Sequence, residues 1–332
     1  MTEFDLIERY FTRPARRAAL GVGDDCALIN PAPGMQVAIS SDMLVEGRHF
    51  FSDVSPYSLG YKALAVNLSD LAACGATPAG FTLALALPSI NAVWLQEFSR
   101  GLWALADRHS CELIGGDTTQ GPLNICITVF GEVPVLNGRS QALLRSGAQA
   151  GDDLYVSGTL GDAALALDAL FGRLTVPAAV LDAARFRLEQ PIPRVALGQA
   201  LRGIASAAID VSDGLLGDLG HILQQSGVGA TVEVDIATSL VASKSYYTRP
   251  GGQLEPQPLP ADWHRWALAG GDDYELLFSA PPSARADVAA AAQASQTPVT
   301  CIGQIEAEPG LRLLDGQGEL LTNRYMSFDH FR

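Results

Sequence analysis

The segment Ala207-Ala-Ile-Asp-Val-Ser-Asp-Gly-Leu215 joins a short apolar run to two aspartates, a serine and a glycine. The apolar run that ends at Val211 is typical of a buried β-strand, and the chain from Asp213 onward predicts a helix. Acidic residues between a strand and a helix are typical of α/β proteins, which gather their sites at strand ends. This segment therefore predicts an α/β fold and marks one position of its site.

The same alternation of strands and helices is predicted on both sides of this segment. Strands are predicted at Val37–Ser40, Gly80–Leu87, Asn124–Val133, Leu154–Ser157, Tyr274–Phe278 and Val299–Gly303, and helices at Leu59–Cys74, Val93–His109 and from Asp162. Turn-forming sequences cluster between Arg139 and Asp153, and 332 residues are long enough for two cores. We therefore predict two α/β domains, residues 1–143 and residues 144–332.

The charge balance limits the class of partner. The formal net charge is −14, so the surface repels nucleic acid and anionic membranes, and neither is expected as a partner.

No apolar run reaches the roughly 20 residues that span a bilayer, and the N-terminus lacks the pattern of a signal peptide. The five cysteines include no C-x-x-C pair, which argues against a disulfide framework or a zinc site. A cytoplasmic location is the expectation.

Aspartates occur beside glycine or serine at six predicted junctions between apolar segments. These are Gly23–Asp25, Ser40–Asp42, Leu68–Asp70, Gly115–Thr118, Ile209–Gly214 and Gly270–Asp273. Magnesium prefers oxygen ligands and usually takes one or two carboxylates, leaving other positions for water and substrate phosphates. One such segment is more often an ordinary turn than a ligand, but six in one chain favour a magnesium and phosphate site. The sequence does not decide between Asp24 and Asp25 as a ligand.

The familiar alternatives for phosphate and hydrolytic chemistry are missing from the sequence. There is no G-x-x-x-x-G-K-[ST] loop, no H-R-D with D-F-G pair, no G-x-S-x-G elbow and no H-E-x-x-H zinc signature. The five histidines are widely spread, which argues against a transition-metal site. The acidic segments therefore carry the functional prediction.

These segments make the chain resemble the thiamine-monophosphate kinase family. That family shares a superfamily with aminoimidazole ribonucleotide synthetase, selenophosphate synthetase and a hydrogenase maturation factor. The matching segments are Gly21–Ala27, Ser40–His49, Tyr61–Asp70, Ile114–Thr118, Arg145–Gly147, Ile209–Leu215 and Gly271–Glu275. The first and fourth recur loosely across the superfamily, whereas the segments that contain His49 and Gly271 together point to the thiamine enzymes.

The resemblance implies a role for each matching position. Magnesium ions would be held by Asp25, Ser40, Ser41, Asp42, Asp70, Asp117, Asp210 and Asp213. ATP would be contacted by Gly116, Asp117, Arg145 and Ser212. The acceptor would be contacted by His49, Asp272 and Phe328. This chain departs from the family at two positions, because glutamate is frequent at the Asp272 position and tyrosine or tryptophan at the Phe328 position.

The resemblance also implies the architecture. In the family the N-terminal mixed sheets of two subunits form a barrel-like dimer core, so we expect a homodimer. Residues 1–143 would bind ATP and magnesium and dimerise, and residues 144–332 would complete the nucleotide and substrate site.

Some of these residues also have plain structural interpretations. Phe328 could be an aromatic of the C-terminal core, and His49 an ordinary loop histidine. Arg145 could pair with an acid on the surface. Asp273 could replace Asp272 as the contacting carboxylate.

The implied reaction is transfer of a phosphoryl group from ATP to thiamine monophosphate, with several magnesium ions. The second pKa of the acceptor phosphate is about 6, so its oxygens are largely ionised at neutral pH and need no strong general base. We therefore expect no catalytic acid–base pair, and catalysis by charge neutralisation and in-line positioning. The alternatives are a ring-closing ligase of the same superfamily, which would release free phosphate, and a non-catalytic nucleotide or magnesium sensor.

Overall fold

The computed structural model describes residues 2–248, 259–321 and 325. The chain forms two compact units, one of residues 1–71 and 76–142 and the other of residues 72–75 and 143–332. Each unit combines helices with a mixed sheet, which confirms the predicted α/β class. Among the described residues, no helix is both long and apolar enough to cross a bilayer.

The first unit is built on a five-stranded sheet. Its strands are β1 (Met35–Val45), β2 (Thr77–Leu87), β3 (Glu112–Gln120), β4 (Asn124–Leu136) and β5 (Arg139–Ser140). Its helices are α1 (Glu3–Leu6), a π-helical turn (Ile7–Phe11), α2 (Pro56–Ala73) and α3 (Ala92–His109). The strand order is β1-β4-β2-β3 with β5 beside β4, and only β2 and β3 run parallel. Because β1 and β3 are edges, the sheet of the described chain is not a closed barrel.

Helices α2 and α3 cross at glycines. A Cβ atom on Gly60 would lie 2.0 Å from the Phe98 carbonyl oxygen, and one on Gly101 would lie 1.9 Å from the Tyr57 carbonyl oxygen. Only glycine allows two helix backbones to approach so closely. Asn91 caps α3 by accepting hydrogen bonds from the amides of its first turn. Gly60 and Gly101 therefore serve the close packing of α2 and α3.

The second unit is built on a six-stranded sheet. Its strands are β6 (Asp153–Ser157), β7 (Ala207–Asp210), β8 (Gly229–Glu233), β9 (Leu276–Ala280), β10 (Val299–Glu306) and β11 (Gly310–Leu314). Its helices are α4 (Asp162–Leu170), α5 (Ala178–Glu189), α6 (Val195–Ala200), α7 (Leu215–Ser226), α8 (Val234–Ser239), α9 (Ser245–Thr248), α10 (Pro260–Ala269) and α11 (Arg285–Ala294). The strand order is β11-β8-β10-β6-β9-β7, and only the β11–β8 pair is parallel.

The core of this unit is continuous from the strands into the helices. Buried aliphatic side chains of β6, β7, α4 and α7 belong to one core together with Trp266 of α10, which is 1% exposed. Burying one such aliphatic side chain contributes roughly 1.5–3 kcal/mol. The indole nitrogen of Trp266 donates to Asp168 at 2.7 Å, so the ring is buried without an unsatisfied donor.

Three of the six acidic segments lie inside a strand or a helix and not at junctions, so that part of the prediction was wrong. Ser40 and Asp42 lie within β1, which pairs with β4 along its whole length from Met35 to Val45. Asp117 lies within β3, and Asp70 lies near the end of α2. Polar residues are tolerated in β1 and β3 because both are edge strands with an accessible face.

Two predicted boundaries are also wrong by two residues. Helix α7 begins at Leu215 and not at Asp213, because the amides of Ser212, Asp213 and Gly214 are bound by a side chain. Strand β9 begins at Leu276 and not at Tyr274, whose φ of 51° is left-handed and incompatible with a strand.

Candidate functional site

In the first unit, β1 and α2 bring three of the predicted ligands together. Ser40 and Asp42 are two residues apart on β1 and therefore share one face of the sheet. The hydroxyl of Ser40 donates to Asp70 of α2 at 2.5 Å, and the backbone amide of Asp42 donates to Asn67 of α2 at 3.1 Å. The result is a group of oxygen atoms on the α2 side of the strand.

Ser41 lies on the opposite face of β1. Its hydroxyl is 3.0 Å from that of Thr128 on β4, and it donates to the Ile127 carbonyl oxygen at 3.2 Å. Its side chain is therefore not part of the group that Ser40, Asp42 and Asp70 form.

A cleft of about 650 Å³ in the first unit contains three further predicted residues. Asp25, Gly116 and Asp117 line it, together with the neighbouring Asp24. The rest of its lining includes the apolar side chains of Phe4, Ile7, Phe11, Leu83 and Leu113 and the polar side chains of Glu3, Glu8 and Thr12. Asp24 and Asp25 both reach the cleft, and the Asp25 amide donates to the Asp24 carboxylate at 2.8 Å. The geometry therefore leaves both carboxylates available as ligands.

His49 is fixed by its own turn. Its Nδ1 accepts a hydrogen bond from the Val45 amide at 3.0 Å, and its amide donates to the Val45 carbonyl oxygen at 2.9 Å. A nitrogen that accepts a bond carries no proton, so the proton of the neutral ring lies on Nε2. The turn thus fixes the tautomer as well as the orientation of the ring.

In the second unit, the turn between β7 and α7 holds the predicted residues Asp210, Ser212 and Asp213. Asp210 is the last residue of β7 and is buried. Asp218, in the first turn of α7, accepts hydrogen bonds through one oxygen from the amides of Ser212 (3.0 Å), Asp213 (3.1 Å) and Gly214 (3.1 Å). The turn is therefore held by a carboxylate that satisfies three amides at the start of the helix.

The environment of Asp218 favours its neutral form. Burial, and secondarily the negative charge of Asp213, raise the pKa of Asp218 to about 7, against the opposing effect of the three amides. A cation bound near Asp213 would offset this repulsion, because positive charge stabilises nearby carboxylates.

The loop from Gly270 to Tyr274 lies along this turn. The Asp272 amide donates to the Ser212 carbonyl oxygen at 2.8 Å, so the proposed acceptor contact and the proposed nucleotide contact are neighbours in the backbone. Asp273 accepts from the Gly161 amide at 3.0 and 2.8 Å and is buried, which strongly raises its pKa. Asp273 thus caps α4, whereas Asp272 is only partly buried.

Arg145 has an exposed side chain and a fixed backbone. The hydroxyl of Ser226, at the end of α7, donates to the Arg145 carbonyl oxygen at 3.3 Å and accepts from the amides of Gly147 and Ala148. Within the described ranges its guanidinium takes part in no ion pair, so the surface-pairing interpretation finds no support there. Phe328 lies outside the described residues.

The predicted ligands fit magnesium better than a soft metal. All of them offer oxygen, and across the described residues no three His, Cys, Asp or Glu side chains form a ready-made metal cluster. Magnesium takes few protein carboxylates and keeps water and phosphate as its other ligands. The groups of residues around Ser40 and around Asp117 each offer a few protein oxygens of the kind that magnesium prefers.

Four residues of the site have structural roles that were not predicted, although Asp273 was named as an alternative to Asp272. Asn67 and Asp218 fix ligand-bearing segments, Asp273 caps α4, and Glu275 anchors the loop before β9. A signal existed for Asp218, because it occurs on the helix face that also carries Leu215, Leu219 and Ile222. A polar residue on an apolar face indicates a specific hydrogen-bonding role.

Two family models match the chain. Residues 23–133 match the N-terminal domain of AIR synthase related proteins, and residues 149–316 match their C-terminal domain. Together the two matches cover most of both units.

Curated relatives match over almost the whole chain. The thiamine-monophosphate kinase of Salmonella typhimurium is 47% identical, with 99% of this chain and 98% of the relative covered. That of Escherichia coli K12 is 45% identical over the same shares. That of Haemophilus influenzae is 42% identical over 100% of this chain and 98% of the relative.

Solved structures agree with these relatives. Thiamine-monophosphate kinase from Stenotrophomonas maltophilia superimposes with a TM-score of 0.81 at 43% identity, covering 96% of both chains. AaThiL complexed with AMPPCP and TMP superimposes with a TM-score of 0.75 at 27% identity, covering 91% of this chain and 89% of that one. The hydrogenase maturation protein HypE of E. coli, at 22% identity, a TM-score of 0.73 and 97% and 95% coverage, shares the fold.

Proposed function

The chain belongs to the thiamine-monophosphate kinase family, and we propose on this basis that it phosphorylates thiamine monophosphate with ATP. The products are thiamine diphosphate and ADP. The observation that carries the proposal is the full-length similarity to kinases of this name, supported by a related structure that holds AMPPCP and TMP.

The first unit supplies the larger part of the proposed magnesium and nucleotide site. We assign magnesium binding to Asp25, Ser40, Asp42, Asp70 and Asp117, and nucleotide contacts to Gly116 and Asp117. Ser41 is left out of this assignment, because its hydroxyl bonds β4 on the opposite face of β1. The cleft beside Asp25 and Asp117 supports this assignment, because it combines carboxylates with exposed backbone at Gly116. Bound magnesium would neutralise phosphate charge, which a protein of net charge −14 cannot do with its own acids.

The second unit supplies the remaining proposed contacts. We assign magnesium binding to Asp210 and Asp213 and ATP contacts to Arg145 and Ser212. Support comes from the β7–α7 turn, which Asp218 fixes through three amides. Arg145 has the fixed fork of donors that suits phosphate oxygens.

We assign recognition of the acceptor to His49, Asp272 and Phe328. The ring of His49 offers its Nε2 proton to an anion such as phosphate, because Nδ1 is occupied by Val45. Asp272 offers negative charge to the thiazolium cation, and an aromatic at position 328 would add a cation–π contact.

The proposed reaction needs no protein base. An oxygen of the acceptor phosphate forms a bond to the γ-phosphorus of ATP, and the bond from that phosphorus to the β–γ bridging oxygen breaks. The electron pair leaves on ADP. The chain's own contribution is to hold the two phosphates in line and to exclude water, as in other phosphoryl transfers.

We also infer the division of labour between the predicted domains. Residues 1–143 bind ATP and magnesium and dimerise, and residues 144–332 complete the nucleotide and substrate site. We also propose a cytoplasmic location and no nucleic acid or membrane partner.

The proposed dimer rests on one face of β1. Val37, Ile39 and Met43 alternate on this edge strand and are 43%, 63% and 52% exposed. Exposed apolar edge strands normally pair or are covered. A second copy of the chain is the proposed cover, as the barrel-like dimer core of the family implies.

If the chain is a dimer, one substitution in the proposed interface is expected to lower the mass of the particle in solution. Ile39→Asp places a charge in the proposed interface and is expected to convert a two-chain particle into one chain in sedimentation velocity. The matched control is Val93→Asp, because Val93 is 75% exposed at the start of α3 in the same unit. A monomeric wild-type chain would contradict the dimer.

The function is tested by incubating the protein with ATP, magnesium and thiamine monophosphate and separating the products by chromatography. We expect equal amounts of thiamine diphosphate and ADP. Absence of thiamine diphosphate would contradict the kinase, and free phosphate released on addition of an amide substrate would support the ring-closing ligase instead. ATP binding by a folded protein without any turnover would support the sensor.

A further inference from the structure

Glu275 is a buried carboxylate to which the proposed reaction gives no role. It is 0% exposed and ends the segment Gly271–Glu275. Arg194 donates to its two oxygens from Nε at 2.5 Å and from Nη2 at 2.6 Å, and Arg187 adds a bond from Nη2 at 2.8 Å. The Ser157 hydroxyl donates at 2.7 Å. Both carboxylate oxygens are therefore saturated with charged or polar donors.

Stability alone does not account for this network. Removing charges from water is costly, and replacing a buried ion pair with apolar side chains is often neutral or stabilising. The side chains of Arg187 and Arg194 are only 16% and 13% exposed, so all three charges are desolvated. What a bidentate arginine–carboxylate pair supplies is a fixed geometry.

The loop before Glu275 needs such a constraint. Asp272 and Tyr274 have φ angles of 66° and 51°, in the left-handed region that residues other than glycine rarely adopt. Each such residue is strained and persists only where its surroundings enforce it. This strain lies at the residue proposed to contact the acceptor.

Three backbone hydrogen bonds connect Glu275 and the loop before it to the β7–α7 turn. The Val211 amide donates to the Glu275 carbonyl oxygen, the Tyr274 amide to the Val211 carbonyl oxygen, and the Asp272 amide to the Ser212 carbonyl oxygen, each at 2.8 Å. Fixing Glu275 therefore fixes the position of Asp272 beside the β7–α7 turn.

We propose that Glu275 and Arg194 are positioning residues, whose bidentate ion pair holds Asp272 in the geometry that receives the cationic ring of the acceptor. This inference rests on the proposed function, since that function gives Asp272 its ligand. Glu275 acts through the loop and does not contact the substrate.

The test is Arg194→Lys. Lysine keeps the positive charge that Glu275 needs but loses the two-point fork. We expect KM for thiamine monophosphate to rise about 10-fold, with kcat and KM for ATP changed less than about 3-fold, a difference of about 1.4 kcal/mol in acceptor binding. The matched control is Arg285→Lys, because Arg285 makes the same fork at 2.6 and 2.8 Å in the same unit, but to Asp153 of β6 and not to Glu275.

Amide hydrogen exchange gives a second readout that needs no activity. Exchange at Asp272 and Tyr274 is expected to be faster in Arg194→Lys than in Arg285→Lys. An unchanged acceptor KM, or unchanged exchange, in folded Arg194→Lys overturns the proposal. If the wild-type chain makes no thiamine diphosphate, the proposed function fails, and exchange still decides whether the ion pair holds the loop.

If Arg194→Lys does not fold, Arg187→Lys replaces it. Arg187 contributes one hydrogen bond to Glu275 where Arg194 contributes two, so a smaller rise in acceptor KM in the same direction is expected. No rise in acceptor KM in this folded variant overturns the proposal.

Discussion

Asp42→Asn is expected to lower the turnover of ATP and thiamine monophosphate by about 10³-fold, which corresponds to about 4 kcal/mol in the activation free energy. The substitution removes one negative charge from the group that also contains Ser40 and Asp70. Charge neutralisation of the phosphates is the main task of catalysis in this reaction, so losing one magnesium ligand removes transition-state stabilisation directly.

The structure indicates that this variant keeps its fold. The bond from Asp42 to Asn67 uses the backbone amide of Asp42, and asparagine retains that amide. All the backbone partners of β1 on β4 are retained as well. The loss of activity is therefore expected without a large change in melting temperature.

The control for Asp42→Asn is Asp107→Asn. Asp107 is an exposed acid of α3 in the same unit, and its ion pair with Arg13 at 3.0 Å is a surface pair worth roughly 0–1 kcal/mol. Product formation is measured over a range of magnesium concentrations. Full turnover of Asp42→Asn at ordinary magnesium would show that this carboxylate holds no catalytically required ion.

The predictable part of the fold came from local pattern. The apolar runs that became β2, β4 and β6 and the helical spacing that became α3 were correctly assigned because their burial follows directly from sequence periodicity. The first residues of α7 and β9 were not predictable from periodicity. The start of α7 depends on the side chain of Asp218, which binds the amides before the helix. The start of β9 depends on the left-handed backbone of Tyr274, whose amide bonds Val211 in a distant part of the sequence.

The residues of the site were also predictable only in part. The sequence indicated which aspartates to consider, because oxygen ligands beside glycine and serine suit magnesium and phosphate. It did not separate Asp272 from Asp273, since adjacent carboxylates look alike in a sequence. The structure gives Asp273 a buried bond to Gly161 and leaves Asp272 partly exposed, and only tertiary packing produces that difference.

Gly116→Ala is expected to destabilise the first unit by about 3 kcal/mol or more and to weaken ATP binding at the same time. A Cβ atom on Gly116 would lie 1.9 Å from the carbonyl oxygen of Leu83, and the φ of 151° is one that side chains disfavour. Because the contacted atom belongs to the backbone, no rotamer change relieves the overlap.

The pairing of the strands determines which strand must move to relieve the overlap. Leu83 is paired with Gly116 on one side and with Ile127 on the other, so β2 is held between β3 and β4. Relief must come from β3, which is an edge strand and carries Asp117 into the cleft. The same displacement that reduces stability therefore moves a proposed nucleotide contact, and KM for ATP is expected to rise with the fall in melting temperature.

Gly121→Ala is the matched control. Gly121 directly follows β3, and a Cβ atom there would lie 3.6 Å from the Cβ of Ala86, which is an ordinary contact. It is expected to keep both its melting temperature and its KM for ATP, because an alanine that fits changes stability by less than about 1 kcal/mol. A loss of about 3 kcal/mol corresponds to a melting temperature lower by roughly 6–12 °C for a unit of this size. Equal melting temperatures for the two variants would mean that β3 accommodates a side chain at Gly116 and that the glycine there is not required by close packing.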